Sequence, residues 1–232
     1  MKKSILIFVS LVFASTCFAG DANDVTKIIE KLNQSAANLK NLTAEVEYTH
    51  SQPLFETQTI RTGEIFYQKD VNSSALRINF KTLKQDQSKE QKYREEYIFD
   101  GIKLTRIDYQ SKSVITEQYA KDNNSIEPFE LVQDYFPIIG LAKPQEIAQD
   151  FNTISIGNVL NLIPKENSRY FKTYKQVNIT IDSKLNIPVI FTASTTDSEE
   201  ITIKLNKVEI SKPVKKEVFD FQIPSDFVQT QK

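Results

Sequence analysis

The residue types that commonly catalyse reactions are scarce in this chain. His50 is the only histidine, which excludes a histidine pair and a multi-histidine metal site within one chain. The alternation around it places His50 on the same strand face as Val46 and Tyr48, where an ordinary surface or core histidine is expected. We therefore expect that the chain is not an enzyme.

Two pairs of adjacent carboxylates, Glu95-Glu96 and Glu199-Glu200, are the remaining candidates for acid–base chemistry. Neighbouring residues of a β-strand point to opposite faces, so the two members of a pair cannot share a proton. We expect all four side chains to be solvated charges. Nucleotide binding is not expected either, because the chain has five glycines and neither a GxGxxG nor a GxxxxGK pattern.

Residues 1–19 are typical of a cleavable secretory signal peptide. Lys2 and Lys3 form the positive first region, residues 5–13 form an apolar core, and small residues precede a cut after Ala19. The apolar core is far shorter than the roughly 20 residues of a membrane-spanning helix. Cleavage would also remove the only cysteine, and with it any disulfide, thiol nucleophile or thiolate metal site. We expect residues 20–232 to form one domain in the periplasm.

Cys17 leaves a second interpretation of the leader open. In a lipoprotein signal the cysteine becomes the acylated first residue of the mature protein, which would anchor the protein to a membrane. The preceding Ala14-Ser15-Thr16 lacks the usual leucine three residues before the cysteine, so simple cleavage is favoured.

The overall composition gives no reason to expect nucleic acid as a partner. The chain carries 29 basic and 30 acidic side chains, so a basic surface for phosphates is not indicated. The fifteen phenylalanines and nine tyrosines could stack on bases, but without a basic stripe they are expected to form the core of a sheet.

The apolar pattern predicts one helix followed by many strands. Between residues 24 and 42 the spacing is that of an amphipathic helix with a buried stripe of Val25, Ile28, Ile29, Leu32, Ala36 and Leu39. A period of two begins at Ala44 and recurs at Leu76. Further strands are predicted at residues 63–69, 93–99, 104–109, 114–119, 159–163, 177–181, 189–193 and 201–210. Because no helices alternate with these strands, they predict a large, curved antiparallel sheet.

An apolar insert at residues 127–151 interrupts the strands. Pro137, Gly140 and Pro144 break it into short pieces. Its large apolar side chains stand at helical spacing: Phe129, Val132, Phe136 and Ile139. Because these groups need an apolar surface to lie on, the insert is expected to form a lid or a plug on the inner face of the sheet.

Several short motifs follow the leader and the helix in a fixed order. They are Gly63-Glu64-Ile65-Phe66-Tyr67-Gln68-Lys69, Arg77-Ile78-Asn79-Phe80, Phe99-Asp100-Gly101, Leu160-Asn161-Leu162-Ile163-Pro164-Lys165, Val177-Asn178-Ile179-Thr180-Ile181-Asp182 and Phe219-Asp220-Phe221-Gln222-Ile223-Pro224. Each motif is common by itself, but the ordered set spans nearly all of residues 20–232. In this order it resembles the periplasmic lipoprotein carrier family LolA.

This resemblance implies an α+β, mainly β fold. The expected architecture is an incomplete antiparallel β-barrel, or half-barrel, with a helical lid that encloses a hydrophobic cavity. The resemblance also implies a periplasmic monomer without cofactors, which carries acylated lipoproteins or related lipids from the inner to the outer membrane. The implied partners are an inner-membrane ABC-type lipoprotein-releasing complex and an outer-membrane acceptor.

The strand faces and the resemblance together predict the binding residues. The acyl-chain cavity is expected to be lined by Ile65, Tyr67, Ile78, Phe80 and Phe99, and covered by Phe129, Val132, Phe136 and Ile139. The alternative that stays open is that the same residues form a filled core. A slip of one residue in strand register would also invert every inward assignment.

Lys69 marks a departure from the family pattern. Lys69 and Asp70 stand where the family carries an arginine followed by a proline, and that arginine is thought to hold the lid closed. A lysine keeps the charge but not the planar fork of donors, so Lys69 is a possible lid latch of different geometry. Phe66 and Ile78 also replace tryptophans of the family, which indicates a divergent member.

Two other functions remain open at this point. A sensing module of the same fold would bind lipid or a misfolded lipoprotein and signal to a membrane protein. Such a sensor usually carries a second domain, so the length of this chain favours the carrier. A lipid-anchored outer-membrane acceptor would follow if Cys17 were acylated.

Overall fold

Twelve strands form a single open sheet in the computed structural model, which describes residues 22–70, 73–120, 144–210 and 212–232. The strands are β1 (Asn41–Gln52), β2 (Thr57–Lys69), β3 (Ser74–Gln85), β4 (Gln91–Phe99), β5 (Lys103–Asp108), β6 (Ser113–Gln118), β7 (Phe151–Ile156), β8 (Val159–Pro164), β9 (Tyr174–Ile181), β10 (Pro188–Thr195), β11 (Glu200–Glu209) and β12 (Val228–Gln231). Their order in the sheet is β12-β6-β5-β4-β3-β2-β1-β11-β10-β9-β8-β7. Within these ranges the outermost strands β7 and β12 do not pair, so the sheet is an unclosed half-barrel, as predicted.

The alternation of apolar and polar residues explains which face of the sheet is buried. In β3, Leu76, Ile78 and Phe80 are buried, whereas Arg77 and Asn79 between them are only partly covered. The face that carries Leu76, Ile78 and Phe80 is called the inner face, and the opposite one the outer face. The predicted division of β3 into two faces is therefore confirmed.

Two helices pack beside the inner face. Helix α1 (Ala22–Asn38) and the short helix α2 (Pro144–Asp150) contact each other and β7. Ile29 and Leu32 of α1 and Ile147 of α2 belong to the same hydrophobic core as the inner-face strands. Helix α1 ends before the predicted boundary at residue 42, because β1 already begins at Asn41 and the apolar residues there fit a strand period as well.

The C-terminal segment crosses the outer face and adds the last strand. Ile223 and Phe227 pack against a small second core of Ile98, Ile107 and Val114. Beyond them β12 pairs in parallel with β6, unlike the antiparallel pairs of the other strands. The sequence pattern predicts neither β7 nor β12. The residues of β12 are all exposed, so no alternation marks this strand.

Two parts of the predicted organisation lie outside the described residues. These are the leader at residues 1–19 and the lid residues Phe129, Val132, Phe136 and Ile139. Their roles stay predictions. Of the helices within the described ranges, none is long and apolar enough to cross a membrane.

Candidate functional site

The five predicted cavity residues lie together on the inner face. The pairing of β2 with β3 places Ile65 directly opposite Ile78, with Phe80 further along the same face. Tyr67 and Phe99 lie in the neighbouring row of side chains, on either side of β3. The exposed fractions of these five side chains lie between 1% and 6%, and all belong to one hydrophobic core. The structure thus places all five on the inner face, and their role in lining an acyl-chain cavity stays a prediction.

The apolar inner face continues across the other half of the sheet. From β11 to β8 it is formed by buried residues that pair across the strands: Ile203, Phe191, Ala193, Ile179, Val177, Leu160 and Leu162. Side chains from α1 and α2 complete the same core. The inner face is thus one continuous apolar surface, and within the described residues helices α1 and α2 pack on it beside β7.

Glu95 lies on the inner face and is completely buried, so the expectation of a solvated charge is wrong. Arg61 Nη1 and Arg106 Nε each donate a hydrogen bond of 2.7 Å to its carboxylate. The hydroxyls of Tyr93 and Tyr97 donate two more, at 2.9 Å and 3.0 Å. These charged and polar donors compensate for the loss of water around the carboxylate, which explains how the charge can be buried.

The guanidinium of Arg61 connects this polar cluster with the predicted cavity. Its carbon lies 4.7 Å from the ring centre of Tyr48 and 5.2 Å from that of Phe80. Phe80 pairs with Glu95 across β3 and β4, and its ring also meets the Tyr97 ring edge to face at 6.2 Å. The apolar face therefore ends in a cluster of arginine, glutamate and tyrosine side chains.

Glu96 occupies the outer face and is also buried, which corrects the second expectation for this pair. Arg77 Nη2 and Arg94 Nη2 contact its carboxylate at 2.6 Å and 2.9 Å. Arg77 Nη1 also donates to the backbone carbonyls of Val218 and Asp220, at 2.5 Å and 2.9 Å. This arginine therefore ties the C-terminal segment to the sheet. The expected placement of Glu95 and Glu96 on opposite faces is confirmed.

The second carboxylate pair is less buried. Glu199 accepts hydrogen bonds from the side chains of Gln52 at 2.7 Å and His50 at 3.0 Å, and these bonds hold the pKa of Glu199 below its ordinary value. Glu200 is exposed, as expected. His50 thus acts as a partner of a surface carboxylate, which is an ordinary role for a histidine at the end of a strand.

No family model matches the sequence, and no curated protein matches it significantly. Among solved structures, an uncharacterized conserved protein from Thermus thermophilus matches with a TM-score of 0.50 and 7% identity, over 90% of this chain and 99% of that chain. MucB matches with a TM-score of 0.57 and 9% identity, over 90% of this chain and 66% of that chain. This chain therefore spans about two thirds of MucB.

A LolA superfamily protein from Nitrosomonas europaea is also among the matching structures, at 10% identity and a TM-score of 0.36, over 84% of this chain and 97% of that chain. The open sheet of twelve strands, with helices beside its apolar inner face, is the architecture that the ordered motifs predict. The fold is therefore the open half-barrel that was predicted, and it is similar to the folds of MucB and of the Thermus thermophilus protein. At these identities the matches establish the fold and not the activity.

Lys69 is the last residue of β2 and lies next to the start of β1. Its backbone N–H donates to the carbonyl of Lys40 at 2.7 Å, which fixes the chain at this point. The predicted partner of its side chain belongs to the lid, which lies outside the described residues, so the latch role stays a prediction.

The cluster around Glu95 is not among the sites that the sequence pattern predicts. A signal for it was present, because Tyr93, Glu95 and Tyr97 alternate on the same strand face as Phe99. Three polar side chains in line with a buried phenylalanine indicate a polar region on the inner face. The arginines that complete the cluster come from β2 and β5, and their arrival depends on strand pairing that the pattern alone does not define.

The cluster changes the acidity of its tyrosines. Burial, and next the negative charge of Glu95, raise the pKa of Tyr97 to about 12. The same two causes raise the pKa of Tyr93. Both hydroxyls therefore keep their protons, and remain donors to Glu95, at every physiological pH.

We expect the protein to lose stability as the pH rises above 10. In the unfolded chain Tyr97 ionises with a pKa of about 10, whereas the folded chain retains the proton up to about 12. Between these values the folded state binds more protons, so unfolding becomes easier as the pH rises, by about 2 kcal/mol for this one group. Urea unfolding at about pH 9 and at about pH 11.5 measures this loss of unfolding free energy, because the two pH values span most of the range between the two pKa values. Tyr97→Phe should show a clearly smaller loss, and an equal loss in both proteins would contradict the assignment.

Proposed function

We propose that the protein carries the acyl chains of lipoproteins, or of related lipids, on its inner face and moves them from the inner to the outer membrane. One observation supports this most directly. The inner face is apolar across both halves of the open sheet, and helices pack against it beside β7. A helix can move away from a sheet without breaking any strand pairing, so this architecture can expose an apolar surface and cover it again.

The physical need for such a surface is large. Each buried CH₂ group is worth about 0.8 kcal/mol, so one long acyl chain in water costs on the order of 10 kcal/mol. A carrier that crosses an aqueous space must remove this surface from water and still release the chain at its destination. Aliphatic and aromatic walls suit that task, because they bind without demanding exact polar geometry.

The remaining elements of the proposal concern location and partners. A cleaved leader at residues 1–19 would place the domain outside the cytoplasm, in the periplasm. Loading by an inner-membrane ABC-type complex and unloading to an outer-membrane acceptor complete the proposed route, with residues such as Phe129 acting as the lid and Lys69 as its latch.

A sensing function is the second candidate, and the likeness to MucB favours it. MucB of Pseudomonas aeruginosa has been solved in complex with MucA, so a protein of this fold can serve as a binding partner of another protein. A sensor would hold its lipid or lipoprotein while it signals, whereas a carrier must pass it on. An anchored acceptor, acylated at Cys17, is the third candidate.

A pair of matched substitutions tests the binding site. Ile78 and Ile98 are both buried and lie on neighbouring strands, Ile78 on the inner face and Ile98 in the small outer core. Threonine at either position should reduce stability by a similar amount, about 1–3 kcal/mol. Only Ile78→Thr is expected to weaken the uptake of a fluorescent 16-carbon fatty acid, by about tenfold, which corresponds to about 1.4 kcal/mol.

The outcomes separate the candidates. Equal weakening by Ile78→Thr and Ile98→Thr, or no uptake by the unchanged protein, would sink the proposed site. Transfer of a triacylated lipopeptide from loaded protein to acceptor vesicles supports the carrier, whereas retention of the lipopeptide supports the sensor. The intact mass of the mature protein decides the third candidate, because acylation at Cys17 adds the mass of the lipid.

A further inference from the structure

An unpaired hydrogen-bond donor lies where the apolar inner face ends. Arg61 Nε is buried and has no hydrogen-bond acceptor within the described residues. The rest of the same guanidinium is well placed, with Nη1 on Glu95 and the rings of Tyr48 and Phe80 beside it. A buried donor without an acceptor is costly, because it has lost its water and gained nothing in return. The position of this unpaired donor therefore indicates where a ligand would supply an acceptor.

Glu95 cannot supply the missing acceptor. Each of its oxygens already accepts from two side chains: Oε2 from Arg61 and Tyr93, and Oε1 from Arg106 and Tyr97. Both oxygens of the Glu95 carboxylate are therefore fully used as acceptors. The Tyr48 hydroxyl also interacts with this guanidinium, but Arg61 Nε itself still has no acceptor within the described residues.

The charges of the cluster favour an uncharged acceptor. Arg61 and Arg106 carry two positive charges, and Glu95 and Asp108 carry two negative ones. Asp108 lies directly opposite Glu95 on β5, and the backbone N–H groups of residues 110 and 111 donate to it, which outweighs partial burial and holds the pKa of Asp108 below its ordinary value. A balanced cluster gives little attraction to an anion, so a carbonyl oxygen fits better than a phosphate or a carboxylate.

We propose that Arg61 is the polar end of the acyl-binding site and takes an ester or amide carbonyl oxygen at the head of the bound lipid. This inference rests on the proposed function. A chain that lies along the apolar face has its first polar atoms where that face ends, and the face ends at Arg61, against the ring of Phe80. The arrangement would fix which end of a lipid enters first and would select acyl esters over plain hydrocarbon.

Two lipids that differ only in their carbonyl groups test this assignment. Radiolabelled dipalmitoylglycerol and its dihexadecyl ether analogue are offered separately in phosphatidylcholine vesicles, and the amount bound is counted after the vesicles are sedimented. We expect the full mature chain to take up the ester about fivefold better than the ether, as one hydrogen bond would provide. Arg61→Lys should reduce this ratio to about one, because lysine keeps the charge but lacks the Nε donor.

Arg77→Lys is the matched control. Arg77 is bonded to a buried glutamate as Arg61 is, but it lies on the outer face, so its replacement should leave the ester-to-ether ratio unchanged. Equal uptake of ester and ether by the unchanged chain would overturn the inference and leave the acyl-binding proposal intact. Preference for phosphatidic acid over dipalmitoylglycerol would overturn it in favour of an anion site. Uptake of neither lipid would overturn the proposed function itself. If Arg61→Lys does not fold, the ratio in the unchanged chain still decides.

Discussion

The Glu95→Gln variant is expected to unfold with about 3 kcal/mol less free energy than the unchanged protein. Removing one partner of a buried ion pair typically costs about 3–5 kcal/mol, because the other partner is left as an uncompensated charge. Glu95 is bonded to two such partners, Arg61 and Arg106, whose side chains are 23% and 44% exposed. Both can partly recover water, so the loss should lie at the lower end of that range. Urea unfolding at neutral pH, followed by circular dichroism, measures it.

Two comparisons show whether the buried charge causes the loss of stability in Glu95→Gln. Glu200→Gln removes the same charge from an exposed position of β11, where a change within about 0.5 kcal/mol is expected. Glu95→Leu should be more damaging alone than together with Arg61→Met, because the second change removes a charge that the first one strands. An effect of Glu95→Gln as small as that of Glu200→Gln would show that the cluster does not stabilise the fold.

The strands were predictable because one face of each is buried. In β3 and β9 the apolar residues recur at every second position, and this period survives in the sequence without knowledge of any partner strand. Two wrong or missing predictions, β12 and the end of α1, also follow from which residues are buried. Strand β12 is exposed on all four residues and therefore carries no period. The predicted end of α1 lies too late in the chain. Leu39 and Leu42 follow the helix and are buried, and their spacing also fits a helical stripe.

Strand alternation places Glu95 on the face of Phe99, but the arginines that complete its cluster could not be predicted from this alternation. The local sequence Arg94-Glu95-Glu96 is polar and by itself indicates a solvated segment. Its burial depends on Arg61, which is two strands away, and on Arg106, which reaches it from the neighbouring strand. Strand pairing brings these residues together, and single-strand alternation contains no information about pairing. The apolar inner face was therefore within reach of the sequence, whereas the complete polar cluster at its end was not.

Gly63→Ala is expected to destabilise the protein by about 3 kcal/mol, the upper part of the usual range for forcing an atom into a packed interior. A Cβ at this position would lie 1.9 Å from the backbone carbonyl oxygen of Asn79 and 2.8 Å from the Cα of Phe80. Both contacts are with the backbone of β3, so no side chain can rotate away. The register of β2 and β3 also shifts at Thr62 and Gly63, which brings the two backbones unusually close.

Gly157→Ala separates this clash from the general cost of replacing a glycine. Gly157 has a φ of +60°, and no atom lies within 4 Å of the place where a methyl group would stand, so only the left-handed backbone opposes alanine, at about 1 kcal/mol. Thermal and urea unfolding of both variants compare the two costs, and equal losses would show that β3 moves aside freely. Because Gly63 pairs with Phe80, any such movement displaces the ring that contacts Arg61. Gly63→Ala should therefore lower the uptake of acyl lipid even where the protein remains folded, whereas Gly157→Ala should not.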